Sequence, residues 1–140
     1  MDLLLALLAI VAFAVVFPLF WCGVVLLLSV VGGWRGLAAQ YGVDMEPPAS
    51  AAKAHWQSGM IGLVNYSSTL NVAADAEAIW LRPTRLFQVG HRQLKIPWTE
   101  AEVSDFSFLF KKGVTIRTRS GKAIRVLGHA AQVVKGARPA

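Results

Sequence analysis

The sequence predicts an N-terminal transmembrane α-helix followed by a small, mainly-β barrel or sandwich with a short C-terminal helix. Three observations carry this. No charged residue occurs from Leu3 to Trp34, and a helix needs only about 20 apolar residues to cross a hydrocarbon core of about 30 Å. Beyond residue 55 the apolar side chains recur at a period of two, the pattern of half-buried strands. After the last such run, Leu127, Ala130, Ala131 and Val134 fall at helical spacing.

The apolar run at 3–31 is longer than one span requires, and tilt or a bend at Pro18 would absorb the surplus. A hairpin of two short arms is disfavoured because no polar turn divides the run. A cleaved signal peptide has a basic start and a core of about 7–15 residues. Here Asp2 stands at the start and the apolar run is far longer, so the helix is expected to be retained as a single-pass anchor. Lys and Arg close to a span stay on the cytoplasmic side. Arg35 and then Lys53 follow the helix and none precedes it, which predicts a cytoplasmic C-terminal domain. Trp34 and Tyr41 flank Arg35 as interfacial membrane anchors do, with rings at headgroup depth and the guanidinium on lipid phosphate.

The chain divides into residues 1–41, the anchor with a juxtamembrane turn; 42–54, a linker marked by Pro47-Pro48; and 55–140, the β domain. Within the domain Leu70, Val72 and Ala74 alternate with polar or small neighbours, as do Leu94, Ile96 and Trp98, then Phe106, Phe108 and Phe110, then Val114 and Ile116. Each set is expected to face a core. Turn residues separate them at 75–77, 82–84, 90–92, 111–113 and 120–121, so about seven antiparallel strands follow one another by short loops. A helix over 128–135 would cover one opening.

Two stretches, GWRGLAAQY at 33–41 and LRPTRLFQVGHRQLKIPW at 81–98, together with this order of elements, resemble a group of small bacterial membrane proteins with one N-terminal helix and a PH-like, GRAM-related domain. In that superfold a strongly bent sheet is plugged by a C-terminal helix. The resemblance implies fold and attachment to the bacterial inner membrane. It implies no ligand-binding residue.

The sequence offers no catalytic, cofactor or metal site. Cys22 is the only cysteine and lies in the apolar run, so neither an intramolecular disulfide nor a multi-cysteine zinc site is possible. His55, His91 and His129 are scattered without metal-ligand spacing, and surface or turn positions are expected for them. Ser104-Asp105 has no nucleophile elbow, and no glycine-rich phosphate loop joins a strand to a helix. A non-catalytic module is the reading that remains.

Charge is the one functional signal. The 140 residues carry net charge +6 and a pI near 10.0. From Lys111 onward there are eight Lys or Arg and no Asp or Glu, while Arg82, Arg85, Arg92 and Lys95 crowd another strand pair. Asp75, Glu77, Glu100, Glu102 and Asp105 form two acidic clusters. A basic face tethered at a bilayer gains about 1 kcal/mol per Lys or Arg from anionic lipid. Arg117 and Arg119, on the polar face of one strand, would join Arg125 across a hairpin as the first candidates for binding lipid or a protein partner. Nucleic acid is not expected, because the aromatics are spaced for a core and not interleaved with the basic residues. The alternative is a structural subunit of a larger membrane assembly, with Gly23, Ser29 and Gly32-Gly33 giving a second helix close approach.

Overall fold

The computed structural model describes residues 2–62, 64–108 and 110–139. Helix α1 runs Asp2–Val31 without a break at Pro18, so the apolar run is one helix. At 30 residues it is about 45 Å long, enough in length and composition to cross a membrane. Its first part is exposed all round. From Trp21 onward one stripe, Trp21, Val24, Val25, Leu28 and Ser29, turns toward the rest of the protein. Gly33, at φ 85°, ends the helix and starts α2, Trp34–Tyr41.

The strands are β1 Gly42–Val43, β2 Ala52–Ile61, β3 Val64–Ala74, β4 Ala78–Pro83, β5 Gln93–Pro97, β6 Ala101–Phe108, β7 Lys111–Thr118 and β8 Ala123–Leu127, followed by α3, His129–Ala137. They form one antiparallel sheet in the order β1-β5-β4-β3-β2-β8-β7-β6. Strand β2 is shared by both halves: it pairs with β3 along most of its length and with β8 only at Gly59–Ile61. Its register slips between Ala54 and Gly59, and Trp56 and Ser68 at the slip have positive φ. Such bulges bend a strand and raise its twist, which turns the β6–β8 half across the β2–β5 half.

Between the halves lies the core, built from Leu70, Val72, Ile79, Leu81, Leu94, Ile96, Val114, Ile116, Ile124 and Val126. Helix α3 closes one opening with Ala130, Ala131 and Val134, and the Ala130 N–H donates to Gln57 Oε1 at 3.1 Å. Helix α2 contributes Trp34, Leu37 and Tyr41 to the same core; burying each such side chain contributes about 2–3 kcal/mol.

Three expectations are corrected. Residues 42–54 are not a bare linker: β1 pairs with β5, Ala51 and Ala54 are buried, and β2 begins at Ala52. The register Val103↔Ile116 makes Val103 the buried residue of β6, so Phe106 lies half-exposed on the outer face and Phe110 is fully exposed in the turn. At Phe106 and Phe110 the aromatic spacing thus does not mark the core, the side chain of Phe108 lies outside those described, and Lys111–Gly113 belongs to a strand instead of a turn. Trp34 and Tyr41 are buried in the core, so neither ring is available to lipid as an interfacial anchor; Arg35 alone of that trio is exposed.

Candidate functional site

On the outer face of the first half-sheet, cross-strand register gathers polar side chains that lie far apart in sequence. Lys53 stands opposite Ala73, which stands opposite Trp80; Asn71 stands opposite Arg82. The small Ala73 leaves a hollow between its large neighbours, and Glu46 and Pro47 form one wall. The result is a groove of about 430 Å³, whose lining includes Lys53, His55, Asn71, Trp80, Arg82 and Arg85. A second hollow of about 350 Å³ shares His55, Asn71 and Arg85 and extends the groove to Trp56, Thr84 and Leu86.

Electrostatically the groove is lopsided. Glu46 is the one carboxylate in its lining, and it is held by Arg82 Nη1 at 2.8 Å. Lys53 Nζ donates to the Pro48 carbonyl at 2.9 Å, and Arg85 has no ion-pair partner among the described residues. Arg82 Nε and Thr84 Oγ1 are buried with no hydrogen-bond partner among the described residues, a condition that costs about 1–3 kcal/mol for each such group. Lys95 covers the Trp80 ring at 5.1 Å and pairs with Glu77. Donors and positive charge therefore exceed acceptors, which suits an anion bearing several oxygens.

Arg117 and Arg125 do share the outer face of β7 and β8, since Arg117 pairs with Ala123 and Arg125 with Thr115. Two of the three arginines have a side-chain partner, and among the described residues Arg117 has only a register neighbour. Glu102 stands opposite Arg117, Arg119 pairs with Glu100 at 3.3 Å, and the Arg125 guanidinium lies 4.8 Å from the Phe106 ring centroid. Of the two acidic clusters, the one at 100–105 folds back on the basic strand, whereas Glu77 pairs with Lys95 of β5. Lys135 likewise pairs with Asp105, whose carboxyl it holds below the usual carboxylate range.

His91 is a correction: it is 2 % exposed, not at the surface. Its Nδ1 faces the Val89 carbonyl at 2.9 Å, which can only accept, so Nδ1 carries the proton and Nε2 accepts from the Tyr66 hydroxyl at 2.7 Å. Burial lowers its pKa and pushes that of Tyr66 up to about 12. The Trp34 ring packs against both, and its indole N–H donates to the Arg92 carbonyl at 2.9 Å. This cluster bolts α2 to the sheet and to the loop before β5.

No group of His, Cys, Asp and Glu among the described residues is arranged to hold a metal. The signal for the groove was present in the sequence as the crowding of Arg82 and Arg85, but Lys53 and His55 join them only through strand register. A scan against protein-family models and searches of curated proteins and of solved structures found no match to this chain.

Proposed function

We propose that this chain is a membrane-anchored, non-catalytic binding module: α1 holds a PH-like domain on the cytoplasmic side of a bacterial inner membrane, where it docks on anionic lipid headgroups. The groove carries this reading. Lys53, His55, Arg82 and Arg85 face one carboxylate, and Arg85 belongs to a loop that lies against α1. A bent antiparallel sheet plugged by a C-terminal helix supports the PH-like assignment. Arg35 and Lys122, beside the junction of α1 and α2, support a cytoplasmic domain by the positive-inside rule.

The groove is favoured over the Arg117, Arg119 and Arg125 face because its lining of about 430 Å³ holds one carboxylate, whereas the hollow of about 200 Å³ beside Arg117 and Arg119 holds two, Glu100 and Glu102. A subunit role is less well supported: Ser29 and Gly32 approach the chain's own Gly90 and Val64, and Gly33 lies past the end of α1 beside Lys122, so of the four small residues Gly23 is the one left within the helix. In the test, detergent-solubilised full chain is titrated with short-chain phosphatidylglycerol or phosphatidylcholine while tryptophan emission is followed, Trp80 and Trp56 lying in the groove. Saturable change with the anionic lipid only is expected. Equal responses to both lipids would sink the reading.

A further inference from the structure

We propose that the loop of residues 84–90 is a membrane wedge, lying beside the C-terminal third of α1 with Leu86 and Val89 against lipid acyl chains. The inference rests on the reading of α1 as a membrane span and says how the domain sits on the bilayer.

The loop is built onto the helix. Trp21 Nε1 donates to the Leu86 carbonyl at 2.7 Å, and the Trp21 and Phe87 rings lie 5.1 Å apart. Gly90 packs so closely on α1 that a Cβ there would meet Leu26 Cδ1 at 2.6 Å and Ser29 Oγ at 2.8 Å. The loop therefore runs alongside residues 21–29, reaching about 15 Å along the axis from the end of α1. Leu27, Val30 and Val31 remain exposed, and Leu26 is only partly covered by Gly90. Hydrocarbon is the solvent that suits those side chains, and it surrounds the loop at the same depth. A helix of about 45 Å matches a bilayer including its headgroups, which are about 40–45 Å thick in total.

The loop suits that solvent. Leu86 is 65 % exposed and Val89 39 %, with Trp56 beside Leu86 in the same hollow. In lipid, backbone polar groups require partners within the protein. From Pro83 to Val89 every carbonyl but that of Phe87 accepts a hydrogen bond: from Gln88 Nε2, Phe87 N, Gln88 N, Trp21 Nε1, His91 N and His91 Nδ1 in turn. The amides of Thr84, Phe87 and Gln88 also donate within the protein. Arg85, beside Leu86 at the deep end of the loop, reaches toward phosphate by extending its long stem along the domain.

The test uses the full chain with Cys22→Ala, labelled with an environment-sensitive fluorophore at Leu86→Cys and reconstituted in phosphatidylcholine vesicles carrying nitroxide high on the acyl chain. Parallel labels sit at Val11→Cys in α1 and at Glu77→Cys, at the opposite end of β4. The expected result is blue-shifted, quenched emission at position 86 and water-like, unquenched emission at position 77. If position 86 behaves like 77 while 11 is quenched, the wedge is overturned and the anchor stands. If position 11 is also unquenched, the span itself fails and the wedge with it. Quenching at 86 that requires added anionic lipid would assign the placement to headgroup attraction and overturn apolar insertion.

Discussion

The hydroxyl of Tyr66 donates to Nε2 of His91 across 2.7 Å, inside a cluster closed by the ring of Trp34. Removing the donor in Tyr66→Phe leaves a buried ring nitrogen without a partner, at a cost of about 1–3 kcal/mol. The expected result is a lower thermal midpoint for the detergent-solubilised chain. A midpoint unchanged from the native protein would mean that the hydrogen bond contributes nothing net.

The same pair sets the pH limits of stability. Burial holds the folded-state pKa of His91 below its ordinary value. Below about pH 6.5 the unfolded chain therefore takes up a proton that the folded chain refuses, and stability is lost as pH falls. Burial pushes Tyr66 up to about 12. Above about pH 10 the unfolded chain gives up a proton that the folded one keeps, and stability is lost again as pH rises toward that value. Thermal midpoints measured across pH should decline at both ends, and His91→Gln should lessen the loss between about pH 7 and 5. An acid limb identical in that variant would exclude His91 as its source.

What the sequence disclosed and what it concealed follow from range. The apolar run of α1 and the spacing of Ala130, Ala131 and Val134 are local patterns, readable because each helix is continuous in sequence. The strand alternation placed Leu70, Val72, Leu94, Ile96, Val114 and Ile116 correctly in the core. Phe106 and Trp34 were misplaced because their faces are set at long range: by the register of β6 on β7, and by α2 folding back into the core. The pairing of Arg119 with Glu100 likewise exists only across strands, so eight uncompensated cations in sequence are partly neutralised in space. His91 had no local signal for burial; its partner Tyr66 is 25 positions away.

Gly90 joins two requirements in one residue. Its φ of 71° disfavours any side chain, and a Cβ would collide with Leu26 and Ser29. Gly90→Ala should therefore cost at least about 1–2 kcal/mol from backbone strain alone and loosen the loop from α1. Faster limited proteolysis within residues 84–91 at unchanged overall fold is the expected outcome. Equal cleavage rates would show that the loop's seat on the helix does not depend on that approach.

Two pairs of charge substitutions discriminate the basic surfaces. Lys53 and Arg85 line the groove without a carboxylate partner, whereas Arg119 is bound to Glu100 and Arg117 stands opposite Glu102. A free cation near anionic headgroups contributes about 1 kcal/mol, so Lys53→Gln with Arg85→Gln should weaken anionic-lipid binding by about 30-fold. Removing Arg117 and Arg119 also subtracts two cations, but from a smaller hollow in which Glu100 and Glu102 already repel an anionic headgroup. The expected change for that pair is under about fivefold, measured with the same short-chain phosphatidylglycerol titration. A larger loss from the Arg117 and Arg119 variant than from the groove variant would move the binding face to β7 and β8 and refute the groove assignment.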